Sequence, residues 1–151
     1  MKAINKILIA AVTSAAFTTS AFAAADQTSI SGEVISLDSA THLIFFDVWA
    51  SYQGAGPEQT LAALPKSFSQ QFNPVWVQPQ INVTPAQLSE FQQFYPDVKP
   101  IVLDKGFQLI RQYDVWQSPH HVLLEQGQVV FSGNGQQLID FANQFSVGES
   151  Q

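Results

Sequence analysis

The sequence predicts an α/β domain in which helices flank a mixed central sheet, and three observations carry that expectation. Apolar runs of strand length alternate with segments of helical spacing between residues 43 and 113, and strands joined through helices pair in parallel. Near the C-terminus, Gln126-Gly127 turns one strand-like run, residues 121–124, into another, residues 129–131, which adds antiparallel pairing. Residues 43–49 are almost continuously apolar, the pattern of a central strand buried on both faces.

Residues 30–37 alternate irregularly and give only a weak strand. Residues 43–49 follow as the central strand, with Asp47 its one polar member. The loop 50–56 contains Gly54 and Gly56. Pro57-Glu58 then opens a helix, with proline at the first helical position and an acid in the first turn. Leu61, Leu64, Phe68 and Phe72 keep helical spacing across Pro65, which predicts a kink rather than an end. Val75-Trp76-Val77 begins a second strand. Thr84-Pro85-Ala86-Gln87 is a capping box, and the helix it opens runs through Leu88, Phe91 and Phe94-Tyr95. A short strand at 100–103, a short helix at 107–113, the hairpin and a last helix around Leu138, Ile139, Phe141, Ala142 and Phe145 complete the order.

The 151 residues are 46% hydrophobic and 12% charged, which fits one domain with a substantial core. Residues 1–23 read as an export signal: Lys2 and Lys6 flank the start of an apolar run at 7–12, and Ala21-Phe22-Ala23 supplies an A-x-A cleavage site. Removal through Ala25 is the neighbouring alternative. The run is too short to span a bilayer. A single domain is therefore expected over residues 24–151, soluble and, in a Gram-negative host, periplasmic. Loss of Lys2 and Lys6 takes the formal charge from −6 to −8. With no Lys/Arg-rich run, the chain lacks the electrostatic footprint of nucleic-acid binding. It contains no cysteine, so disulfides and a cysteine-linked lipid anchor are excluded. Stability then rests on packing, for which twelve Phe and three Trp supply apolar area. Nothing in the sequence demands a metal or another cofactor.

Three stretches in order carry a resemblance: Phe46-Asp47-Val48-Trp49-Ala50-Ser51-Tyr52, the helix containing Pro65, and Val115-Trp116-Gln117-Ser118-Pro119 before residues 121–125 and Gly127. The chain resembles the thioredoxin superfamily, especially periplasmic TlpA-like redoxins, from about Thr41 to Phe145. The resemblance implies a thioredoxin-like fold, a cis peptide before Pro119, and a Cys-x-x-Cys pair after Tyr52. One register places Gln53 and Gly56 at the cysteine positions. Another, anchored on Pro65, places Pro57 and Thr60 there. Neither offers a sulfur.

Thiol-disulfide exchange needs a thiolate, which neither a Gln carboxamide nor an unassisted Thr hydroxyl replaces. His120 and His121 follow Pro119, but adjacent strand residues point to opposite faces and do not readily share one metal. One of them with His42 or Asp47 is the remaining metal or acid-base combination, against the plainer reading of packed or surface histidines. Asp47 resembles the buried acid of some thioredoxin-like proteins, with a hydrogen-bonded structural carboxylate as the plainer reading. Trp49, Tyr52 and Trp116 are candidates for an exposed aromatic platform, or for core packing in the case of Trp49. Asn82-Val83-Thr84 fits a glycosylation sequon, although capping already accounts for Thr84. The expected function is noncatalytic: a binding or adaptor module whose surface at Trp49, Tyr52, Trp116, Ser118 and Pro119 receives an extended peptide or a periplasmic protein. An accessory to a cysteine-bearing oxidoreductase is the alternative.

Overall fold

A computed structural model describes residues 25–148, so the expected export signal lies outside the described residues. Among the described residues seven strands and six α-helices follow one another: β1 (Gln27–Thr28), β2 (Val34–Ile35), β3 (Thr41–Phe45), α1 (Val48–Tyr52), α2 (Glu58–Ala63), α3 (Lys66–Ser69), β4 (Asn73–Pro79), α4 (Pro85–Phe94), β5 (Ile101–Asp104), α5 (Gln108–Gln112), β6 (His120–Glu125), β7 (Gln128–Gly133) and α6 (Gly135–Gly148). Five strands make one sheet in the order β5-β4-β3-β6-β7. β3 lies at its centre, parallel to β4 and antiparallel to β6, so the sheet is mixed as the alternation of elements predicts.

Strand alternation sends β3 side chains to two faces. Leu43 and Phe45 join Val75, Val77, Val122 and Leu124 under Leu109 of α5. Ile44 and Phe46 face the other way, with Trp76, Leu88 and Phe91 beneath α4. Leu123, Phe68, Phe72 and Leu138 continue that second face beneath α3 and α6. Phe45, Phe46, Phe68 and Phe91 are almost completely buried. Each such ring contributes about 1.5–3 kcal/mol of transfer free energy, the stabilisation a domain without cross-links requires. No helix among the described residues is long and apolar enough to cross a membrane.

Several local expectations shift. The weak strand at 30–37 is instead a separate antiparallel pair, β1 with β2. Gly32, at φ +86°, reverses the chain between them, and the Ser29 hydroxyl accepts from the Glu33 amide at 3.1 Å. The central strand stops at Phe45 rather than Trp49, and Val48 and Trp49 enter α1. Pro65 ends the helix rather than kinking it: Leu64 and Pro65 both have extended backbone, and α3 starts afresh. The residue before a proline is disfavoured in the α region, which outweighs the apolar spacing on either side. The short helix at 107–113 is a 3-10 turn followed by α5, with Phe107 at φ 56° between them. By contrast the capping box forms in full, and Gln126 and Gly127 both have positive φ, as a two-residue hairpin turn requires.

Candidate functional site

Two side chains convert the end of β3 into the loop that follows it. Asp47 Oδ1 accepts from the Trp49 amide at 3.1 Å and caps α1. Gln78, buried in β4, accepts from the Val48 amide at 2.8 Å through Oε1 and donates to the Pro79 carbonyl at 2.9 Å. Asp47 is thus a hydrogen-bonded cap, the plainer of its two sequence readings. Gln78 carries little signal in the sequence: one amide side chain that closes an apolar strand run.

The four positions aligned with cysteines differ sharply in setting. Gln53 is exposed and closes α1, followed by Gly54 at φ 75°. The Glu58 carboxylate and the Ser51 hydroxyl lie where a Cβ at Gly56 would sit, so a side chain there displaces them. Pro57 is buried at the N-cap of α2. Thr60, one turn on, packs against Gly135 at the start of α6.

The three platform aromatics are not one cluster. Trp49 and Tyr52 lie with ring centroids 6.1 Å apart, and Tyr52 also packs edge-on against Phe91 at 5.2 Å and Tyr95 at 5.9 Å. Trp49 donates its indole N–H to the Asn82 carbonyl at 3.2 Å. Trp116 is 75% exposed, donates to the Asp114 carboxylate, and lines a different groove of about 380 Å³ with Ile81, Phe107, Ile110, Arg111 and Ser118. Neither Trp49 nor Tyr52 lines that groove. The Ser118–Pro119 peptide is cis, as the resemblance implies, and Lys99–Pro100 is cis as well. Gln117 and Ser118 engage in no backbone hydrogen bond among the described residues.

His42 and His121 meet on one face of the sheet. The register pairs His42 with Leu123 and Ile44 with His121, so the rings are diagonal neighbours, joined Nε2 to Nδ1 at 2.9 Å. Burial, and to a lesser degree the neighbouring ring, lowers His42 to about 3. Burial first and His120 second lower His121 to about 4. Both rings are therefore neutral near pH 7. His120 projects from the other face, 2.8 Å from the Ser132 hydroxyl, and burial lowers it too. No group of three or more metal-ligating side chains occurs among the described residues.

Comparison with solved structures places these features in a known fold. The chain is similar to StoA from Bacillus subtilis (24% identity over 80% of this chain and 98% of that one, TM-score 0.59). It is also similar to a secreted Mycobacterium tuberculosis disulfide oxidoreductase (16%, 80% and 95%, TM-score 0.55). A third similar structure is the exposed lipoprotein thioredoxin Etrx1 of Streptococcus pneumoniae (14%, 80% and 98%, TM-score 0.54). The fold is thioredoxin-like. No family model and no curated protein matches the sequence.

Proposed function

We propose that this chain is an exported, redox-inactive thioredoxin-like protein that works as a noncatalytic binding or adaptor module, holding an extended peptide beside Pro119. The observation that carries this reading is the groove at that loop. Ile81, Phe107 and Trp116 are exposed apolar side chains along it, and the backbone groups of Gln117 and Ser118 stand unengaged at its edge. An extended segment gains main-chain hydrogen bonds from such an edge and side-chain contacts from such a groove. Export is supported by Lys2, Lys6 and Ala21-Phe22-Ala23 and by the secreted and exposed proteins among the similar structures. The oxidoreductases among those structures favour one second reading, an accessory to a cysteine-bearing partner.

Immobilised extended peptides should retain the purified protein, and Trp116→Ala or Phe107→Ala should weaken retention about tenfold, the effect of losing a large aromatic anchor. The same preparation should show no disulfide reductase or thiol peroxidase activity. Retention unchanged in both variants sinks the peptide reading, and turnover without an added thiol protein sinks the noncatalytic one. Intact mass of the exported protein is expected to show loss of residues 1–23, or of 1–25; full-length protein in the cytoplasm argues against export.

The two cysteine registers should separate experimentally. Pro57 and Thr60 are one helical turn apart, about 5 Å between Cα atoms, inside the range of about 4.4–6.8 Å that disulfides span. A cysteine at Gly56 instead meets Glu58 and Ser51. The pair Pro57→Cys/Thr60→Cys is therefore expected to close under mild oxidation more readily than Gln53→Cys/Gly56→Cys. The reverse result, read by thiol titration, assigns the degenerate motif to Gln53 and Gly56.

A further inference from the structure

On the sheet face away from α5, a second cavity of about 520 Å³ opens between α2–α3 and the end of α4, floored by β3 and β4. Its size falls within the range of small-molecule sites. Its chemistry is consistent around the wall. Phe72, Trp76, Phe94 and Tyr95 supply aromatic surface, Glu58 and Asp97 supply carboxylates, and no Lys or Arg lines it.

Two polar groups at this cavity have hydrogen-bonding capacity that the protein leaves unused. Glu58 reaches it from the first turn of α2, into the space that Gly56 leaves, and its Oε1 is enclosed with no hydrogen bond among the described residues. His42 is 6% exposed and forms part of the floor. Its Nε2 is engaged by His121, while its Nδ1 forms no hydrogen bond among the described residues. An enclosed carboxylate oxygen without a partner is costly, so a donor that reaches the Glu58 carboxylate is favoured, and His42 Nδ1 adds a hydrogen-bonding position on the floor. Aromatic faces and carboxylates both attract a positive charge, whereas an anion here meets two carboxylates and no counter-charge.

We propose that this cavity binds a small organic cation, an apolar ring carrying an ammonium group, with Glu58 as its counter-ion and His42 as a hydrogen-bonding floor. The ring stacks among Phe72, Trp76 and Tyr95, and the ammonium sits at the Glu58 end. The site lies on the other face of the sheet from the groove at Trp116 and is independent of peptide binding there.

Calorimetric titration of the mature protein at neutral pH with phenethylamine, phenethyl alcohol and 3-phenylpropionate tests the proposal. The amine should bind saturably at one site, about tenfold more tightly than the alcohol, and the carboxylate should not bind. Glu58→Gln should lose about that tenfold for the amine and leave the alcohol unchanged. An NMR titration of the unmutated protein needs no variant to fold: the amine should shift the Trp76 indole and His42 ring signals and leave those of Trp116 in place. The proposal is overturned by equal binding of amine and alcohol, by preference for the carboxylate, by absence of saturation, or by shifts centred on Trp116.

Discussion

Moving the folded protein from pH 7.5 to pH 5 is expected to remove about 4 kcal/mol of its stability, through His42 and His121 alone. The two rings are held at about 3 and about 4, against 6.5 for a solvated imidazole. In the unfolded chain both take up protons as the pH falls through 6.5; in the folded chain both stay neutral until the pH nears 4. Their contribution is therefore complete above pH 6.5 and declines below it, by about 1.4 kcal/mol per ring per pH unit, or about 2 kcal/mol each at pH 5. His120 shifts in the same direction but is far less enclosed, so solvent screens its share. Denaturant unfolding at the two pH values measures the loss, and a His42→Phe/His121→Leu variant should show a much flatter dependence. Equal wild-type stability at both pH values, or an unchanged slope in the variant, contradicts this account.

Asp104→Ala should destabilise the protein by about 3 kcal/mol or more. Asp104 ends β5 and is buried, with Oδ1 accepting from the Leu109 amide at 3.0 Å and Oδ2 from the Ile110 amide at 3.1 Å. Those bonds hold the start of α5 after a turn in which Gly106 and Phe107 both have positive φ, and Arg111 adds a bond to the Gly106 carbonyl at 2.7 Å. Alanine removes both acceptors and leaves the Leu109 amide enclosed. Asp104→Asn retains one strong acceptor and should cost about half as much. The same turn carries Phe107, Ile110 and Arg111 into the groove at Trp116, so peptide retention should fall together with stability. An Asp104→Ala protein with wild-type unfolding and wild-type retention removes α5 as a determinant of that groove.

Neither Asp104 nor Gln78 stands out in the sequence: Asp104 acts five and six residues on, across a turn with positive φ at Gly106 and Phe107, and Gln78 acts on an amide that only the fold brings near. Gln78 serves Val48, thirty residues earlier, across the β3–β4 pairing. The sequence offers His42 as a partner for His120 or His121, and the antiparallel register of β3 with β6 decides which one it meets. Trp116 and Trp49 share a place in the expected aromatic platform, with core packing as the alternative for Trp49, and the chain path puts one in a groove and the other against Tyr52 and the Asn82 carbonyl.

The sequence by itself determined the α/β order, the mixed sheet, the capping box at Thr84, the hairpin turn at Gln126-Gly127 and the impossibility of thiol chemistry. These follow from local periodicity, from backbone preferences of a few consecutive residues, and from covalent composition, none of which needs a distant partner. Only the tertiary structure decided that β3 gives way to α1, that Gly56 makes room for Glu58, that two histidines share one buried hydrogen bond, and that the aromatics divide between two sites. Each depends on strand register and on the packing of helices across the sheet, where residues far apart in sequence compete for the same few ångströms.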